Sequence, residues 1–291
     1  MIIQLEHEYM PRKKIKIPKQ QLNYFYYKKK MSLRTIGELV GCCRETVASR
    51  LRECGLKLRE SGSWQTKYKK QNFSGNEAEK SYLLGFRMGD LNVRLPYKNS
   101  KIIVVQCHTT QQDQIQLLEK LFHKYGQLVL SKSQSMDKRP SFHVNCNLNK
   151  TFSFLVFPKP YRVEDWITKN FSNSTAFMAG YTDAEGNFII NQGKARFKID
   201  SYDFSILDWM HKWFGKCGIT SKLRPLVNYN FMKYNKDKQQ PKNLWRLNIN
   251  EAYSLLRFCA LILPFSKHNK RIRGMLTCIS NILQRKQDET I

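Results

Sequence analysis

The sequence predicts an α+β chain: a small three-helix domain followed by two pseudo-symmetric subdomains, each of αββαββα order. Three observations carry that prediction. The stretch Tyr82–Leu91 reappears as Phe177–Gly186, so that Gly85 meets Gly180, Gly89 meets Ala184 and Asp90 meets Glu185, 95 positions apart (185 − 90). Behind each copy lie segments in which apolar and polar residues alternate, as in a strand with one covered face. Ahead of both copies lies a basic segment whose apolar residues recur at helical spacing. The expected boundaries are residues 1–60 for the three-helix domain, 61–77 for a linker, and 78–172 and 173–291 for the two subdomains.

In the first domain a helix is expected over Gln21–Lys29, with Leu22, Phe25 and Tyr26 on its apolar side. Met31–Arg59 then reads as helix, turn, helix. Ser32 is a good N-cap, and Leu33, Ile36, Leu39 and Val40 recur at three- and four-residue spacing. Gly41 breaks this helix and Cys42–Cys43 form the turn. The second helix runs from Arg44 to Cys54, burying Val47 and Leu51, with Gly55 as its stop. The pair resembles a DNA-binding helix-turn-helix. That resemblance implies a second helix lying in the major groove, with Arg44, Glu45, Thr46, Ser49 and Arg50 on its exposed side. A plain helical hairpin with a solvated basic face is the competing reading. The charge weighs against it: residues 1–70 hold 17 Lys+Arg and 6 Asp+Glu, much of it in Arg12–Lys14, Lys16, Lys19 and Lys28–Lys30. Residues 61–76 lack apolar periodicity and contain Lys67, Lys69 and Lys70, as a linker that tracks phosphates would.

The opening helix of each repeat has a readable physics. Gly85-xxx-Gly89 and Gly180-xxx-Ala184 put two small residues one turn apart on one face, so two such helices can approach until their backbones nearly touch. A carboxylate follows the second small residue in both, and the two acids therefore emerge close together. Acids at helix C-termini face the negative end of the dipole, which is unfavourable unless a cation sits between them. A divalent metal shared by carboxylates is what phosphodiester hydrolysis uses. Acids that merely point to water are the competing reading, and two copies in register argue against it.

Met178-Ala179-Gly180-Tyr181-Thr182-Asp183-Ala184-Glu185-Gly186 resembles the LAGLIDADG motif, and Leu83–Leu91 is a more divergent version carrying Met88 and Leu91 where the motif has an acid and a glycine. The resemblance covers residues 78–286 and is to the single-chain, two-motif LAGLIDADG homing endonucleases. It implies two four-stranded sheets forming a saddle along the major groove. It also implies Asp90 and Glu185 as ligands of Mg²⁺, with Mn²⁺ able to substitute, each acid serving one strand and leaving 3′ overhangs. A lysine near the scissile phosphate is implied as well; Lys270, in the basic turn after the last apolar helix, is the candidate in the second half, and Lys159 in the first.

The strands support this reading independently. Lys194, Arg196, Lys198 and Asp200 alternate with Ala195, Phe197 and Ile199; Arg246 and Asn248 alternate with Leu247 and Ile249; His143 and Asn145 alternate with Val144 and Cys146. Gln106 and His108 fall on the polar side of the strand that begins near Lys101. Such faces carry donors suited to phosphates and base edges where a merely solvated face would mix in Glu. Arg94, Lys101, Lys132, Gln134, Lys222, Arg224, Asn228 and Asn230 complete the expected DNA contacts. Leu117, Leu118, Leu121 and Tyr125, and Ile206, Trp209, Met210 and Trp213, mark the helices behind the sheets; Phe152–Phe157 and Tyr253–Leu263 are expected to close the two halves.

Charge and composition bound the alternatives. With 50 Lys+Arg against 23 Asp+Glu in 291 residues, the net charge of +27 points to a polyanionic partner. Hydrophobic residues at 41% and aromatics at 12% exclude a disordered basic tail. No apolar run reaches membrane-spanning length, the first residues lack a signal peptide's order, and the 8 cysteines include no Cys-x-x-Cys pair. Composition leads to an expectation of reduced thiols and a cytoplasmic (nucleoid-associated) or organellar protein; the family resemblance implies a monomeric nuclease of a mobile genetic element acting on double-stranded DNA with a long specific site. An RNA maturase acting on intron RNA and a non-cleaving DNA-binding regulator are the alternatives on the same scaffold.

Overall fold

The structure, a computed structural model, describes residues 15–59, 69–134, 140–157, 162–226 and 244–288. The chain divides into two compact units, Met1–Lys67 and Tyr68–Ile291.

In the first unit, α1 (Lys19–Asn23) runs on into a π-helical turn, Tyr24–Lys28, followed by α2 (Leu33–Val40) and α3 (Arg44–Glu53). Ser32 caps α2, its hydroxyl accepting from the Thr35 amide at 3.0 Å. Gly41 ends the helix in the left-handed region (φ 74°), and Gly55 plays the same part after α3 (φ 69°). The turn folds back tightly: a Cβ on Gly37 would lie 2.4 Å from the Cys42 carbonyl oxygen. Ile17, Leu22, Tyr26, Ile36, Val47 and Leu51 form the core. Leu39, expected on the buried row, is instead 58% exposed. At 100° per residue the buried stripe of so short a helix passes through positions 33, 36, 37 and 40 and leaves position 39 on the other flank.

The second unit holds two subdomains built alike. The first runs α4 (Glu77–Gly89), β1 (Asn92–Arg94), β2 (Ile102–Thr109), α5 (Gln112–Phe122), β3 (Leu128–Gln134), β4 (Pro140–Asn149) and a 3-10 helix, Lys150–Leu155. A short helix, α6 (Asp165–Thr168), leads into the second: α7 (Phe171–Glu185), β5 (Asn187–Asn191), β6 (Lys194–Ser201), α8 (Phe204–Lys216), β7 (Lys222–Leu226), β8 (Leu244–Ile249) and α9 (Ala252–Ile262). A final helix, α10 (Asn269–Gln287), packs on β5 and β6. Each half contributes one antiparallel four-stranded sheet, in the orders β1-β2-β4-β3 and β5-β6-β8-β7. One hydrophobic core runs through both halves, from Tyr82 and Phe86 to Phe177 and Phe258. Residues 71–73, within the stretch expected as linker, are fastened to this unit. The Gln71 amide donates to the Tyr125 carbonyl (2.9 Å), and Phe73 packs among Tyr125, Phe152 and Phe154.

Cross-strand register fixes which side chains share a face. Asn92, Gln106, Asn145 and Val129 form one row across the first sheet; Asn187, Lys198, Asn248 and Lys222 form the matching row across the second. His108 lies opposite His143, and Asp200, Arg246 and Arg224 stand abreast. The buried residues Ile103, Val105, Cys107, Val144 and Cys146, and Ala195, Phe197, Ile199, Leu247 and Ile249, point the other way. Two expected contacts stand off the polar face. Lys132 opposes Phe142 and is in step with Leu128 and Leu130, which faces it away from the polar side. Lys101 is in step with buried Ile103 and lines a surface cavity of about 250 Å³ with Lys98, Lys150 and Ser153. Lys159, Asn228 and Asn230 lie outside the described residues, as does the Gln134 side chain. No helix among the described residues is long and apolar enough to cross a membrane.

Candidate active site

The site is made by how closely α4 and α7 meet. A Cβ on Gly85 would lie 2.0 Å from the Phe177 carbonyl oxygen and 2.9 Å from the Tyr181 nitrogen. A Cβ on Gly180 would lie 2.1 Å from the Tyr82 carbonyl oxygen and 2.9 Å from the Phe86 nitrogen. The two sets are the same positions of the repeat exchanged, so the helices cross about a local dyad. One turn further on, a Cβ on Gly89 would stand 2.5 Å from the Ala184 Cβ and 3.0 Å from Glu185 Oε1. The small residues therefore bring the Glu185 carboxylate against the end of α4, where Asp90 is the C-cap.

Asp90 is held at an elevated pKa of about 6, by burial first and by the neighbouring Glu185 charge second. Gln114 opposes this: its Nε2 donates to Asp90 Oδ2 at 2.8 Å. Arg271 also opposes it. Arg271 Nη2 donates to the Ala184 carbonyl (3.2 Å) and Nε to the Asp183 carbonyl (3.4 Å), capping the negative end of α7. Burial pulls the Arg271 pKa down, while Asp90, Asp183 and Glu185 push it back up. Two acids, a guanidinium at their rim and an amide that orients one of them are thus assembled from α4, α5, α7 and α10. Among the described residues no cluster of three or more His, Cys, Asp and Glu is placed to hold a metal. A cation bound here would draw its remaining ligands from water and substrate oxygens.

Asp183 has a different task. It is fully buried, and its Oδ2 accepts from the Tyr82 hydroxyl (2.6 Å), the Lys267 amide (2.6 Å) and the His268 amide (3.0 Å). It ties both helices to the turn that starts α10. Burial raises its pKa to about 6 even so. His268, buried beside it, accepts from the Lys270 amide through Nδ1 (3.2 Å) and caps α10. Desolvation and Arg271 lower its pKa to about 4, so it stays neutral.

Lys270 is exposed and reaches across to the first subdomain, its Nζ donating to Gln111 Oε1 at 3.1 Å. Sequence reasoning passed over Gln114 and Arg271. A polar residue flanking the apolar Ile115–Leu118 stripe of α5 was the available signal for Gln114; Arg271 was one cation among several in its turn.

The polar sheet faces gather most of the remaining candidates. In the first sheet Arg94 Nε donates to Gln106 Oε1 (3.3 Å), and Gln106 Nε2 donates to Asn145 Oδ1 (2.7 Å). His108 and His143 touch ring to ring, and desolvation first, then the neighbouring His143, lower the His108 pKa. In the second, Arg246 is bound bidentately by Asp200, both bonds 2.6 Å, and Lys194, Arg196, Lys198, Lys222, Arg224 and Asn248 lie on the same face. In the first unit Arg44 and Ser49 are exposed on α3 and Thr46 is half-buried against the Cys43 thiol. Arg50 departs from expectation. Its side chain is 13% exposed and donates to the Ile15 carbonyl (2.9 Å) and to Glu53, bracing the N-terminal segment against α3.

No protein-family sequence model matches the chain, and no curated protein sequence matches it. Solved structures do. The homing endonuclease I-WcaI bound to its DNA recognition sequence superposes with a TM-score of 0.51 at 12% identity, over 75% of this chain and 95% of that one. The chain has the fold of that enzyme. I-DmoI, in complex with DNA and calcium, superposes at a TM-score of 0.44 and 17% identity, over 69% of this chain and 98% of that one.

Proposed function

We propose that this chain is a divalent-metal-dependent DNA endonuclease of the LAGLIDADG homing type, cutting both strands at one long specific site and leaving 3′ overhangs. The observation that carries the reading is the meeting of Asp90 and Glu185 at the ends of two helices whose backbones nearly touch. Two half-buried carboxylates brought together are a fitting donor set for Mg²⁺ or Mn²⁺. The cation supplies charge neutralisation, an activated water and a stabilised leaving oxygen.

The protein's own groups do the rest. Gln114 orients Asp90 toward one strand. Arg271 offsets the negative potential of the α7 terminus where Glu185 serves the other. Lys270 stands at the junction of the halves, within reach of a bound phosphate. The sheets form a saddle along the major groove on either side, and both acids belong to one chain, so a monomer suffices. α3 of the first unit, through Arg44, Thr46 and Ser49, adds a second DNA contact joined by the tether, lengthening the site or binding a separate sequence.

The test is to incubate the protein with a randomised duplex library and Mg²⁺, beside an Asp90→Asn/Glu185→Gln double variant, and to sequence the ends. Cuts at one long site, made by the unaltered chain alone and leaving 3′ overhangs, are the expected result. A discrete duplex that is bound yet left intact in both Mg²⁺ and Mn²⁺ defeats the reading.

A further inference from the structure

The outer faces of the two sheets differ in chemistry although their topology is the same. Among the described strand residues, the first face carries one formal charge, Arg94, counting histidine neutral. The second carries Lys194, Arg196, Lys198, Lys222, Arg224 and Arg246 against Asp200, a net of +5 (6 − 1). Asp200 is engaged with Arg246, so the other five cations have no carboxylate partner among the described residues.

The first face is instead wired through amides. The chain Arg94 to Gln106 to Asn145 fixes the orientation of both amide groups. Asn145 is left with its amide nitrogen as donor and a second lone pair on Oδ1 as acceptor. That pair complements N7 and the N6 amino group of adenine in the major groove. Lysine and arginine on a sheet face complement phosphates and the O6 and N7 of guanine.

We infer that recognition is divided between the halves: the second sheet is the electrostatic anchor of bound DNA and selects guanine, while the first reads adenine with little release of counterions. The inference rests on the endonuclease reading only in taking duplex DNA as the ligand. It identifies the half of the target under the second subdomain as the half held more tightly, and the more so at low salt.

The experiment measures binding of the full chain, in EDTA so that nothing is cut, to duplexes selected from a random pool over a series of KCl concentrations. Each phosphate neutralised contributes about 0.9 to the slope of log K against log salt. The Lys198→Gln/Lys222→Gln/Arg224→Gln variant is expected to flatten that slope by about 2–3 and to weaken low-salt binding by about 10²-fold or more. The Gln106→Ala/Asn145→Ala variant is expected to change the slope by less than about 0.5, since amides displace no counterions, and to lose a preference for adenine in the opposite half. Equal flattening by the two variants, or an unchanged slope in the cationic one, overturns the division. A chain that binds no duplex overturns it together with the endonuclease reading. Slopes divided as described in a protein that never cuts defeat the endonuclease reading alone.

Discussion

The ends of α4 and α7 make the most instructive comparison in the molecule. Both bring an acid to the same dyad, yet almost every neighbour differs. After Glu185 the chain leaves through Gly186 in an extended conformation (φ −70°), so the glycine answers a need for space and not for a dihedral angle. A Cβ there would lie 2.6 Å from the Thr182 carbonyl oxygen. After Asp90 the chain leaves through buried Leu91, and Arg87, standing where the second half has Thr182, donates to the Leu91 carbonyl at 2.6 Å. Met88 is apolar core where Asp183 is a triple acceptor. A pseudo-symmetric fold thus tolerates different solutions everywhere except where the two backbones meet and the acids emerge.

The largest effect should come from the acids themselves, and it has two opposite signs. Asp90→Asn and Glu185→Gln are each expected to lower cleavage by at least about 10³-fold. Asp90→Asn should at the same time stabilise the metal-free protein. The folded pKa of Asp90, about 6, lies above its unfolded value of 3.8, so the native state binds more protons in between and loses stability as pH rises through that window. The advantage of Asp90→Asn over the unaltered chain, measured by denaturant unfolding in EDTA, should grow from near zero at acid pH to about 2–3 kcal/mol above pH 6. An advantage independent of pH would remove Asp90 as its source. For the same reason cleavage should rise with pH through about 6, as the acid becomes able to hold a cation.

Next in size, Gly85→Ala and Gly180→Ala should each cost about 3–5 kcal/mol and should cost alike, since each new methyl group meets a carbonyl oxygen of the opposite helix. Clearly unequal losses in thermal unfolding would break the local dyad. The divergent neighbours should then separate the halves. Asp183→Ala strands three donors, two of them buried, and is expected to cost about 3 kcal/mol, while Met88→Leu at the matching position stays below about 1.5 kcal/mol. Gln114→Leu should weaken metal-dependent cleavage about 10- to 100-fold on the strand served by Asp90, leaving nicked duplex as the main product. Even loss on both strands would show that Gln114 acts on the fold and not on Asp90. The smallest effect is a control: nothing lies within 4 Å of a Cβ on Gly215 in α8, so Gly215→Ala should gain about 0.5–1 kcal/mol.

What the sequence alone determined was whatever repeats at short range. The spacing of Gly85, Gly89, Gly180 and Ala184 announced two helices in contact, and Asp90 and Glu185 followed by adjacency. The alternation of Lys194–Asp200 and His143–Leu148 announced strands with one covered face. Each of these signals lies within one element, where the period of the backbone decides which side chains share a side. The sequence put Lys132 among the groove contacts, but the register between β3 and β4, which no single strand contains, sets it opposite Phe142 on the other side. Arg50 looked like a reader of DNA until the fold carried the Ile15 carbonyl to it. Arg271, Gln114 and the Asp183 latch were invisible for the same physical reason. Their partners lie 87, 24 and more than 80 residues away along the chain, and only packing brings them within a hydrogen bond.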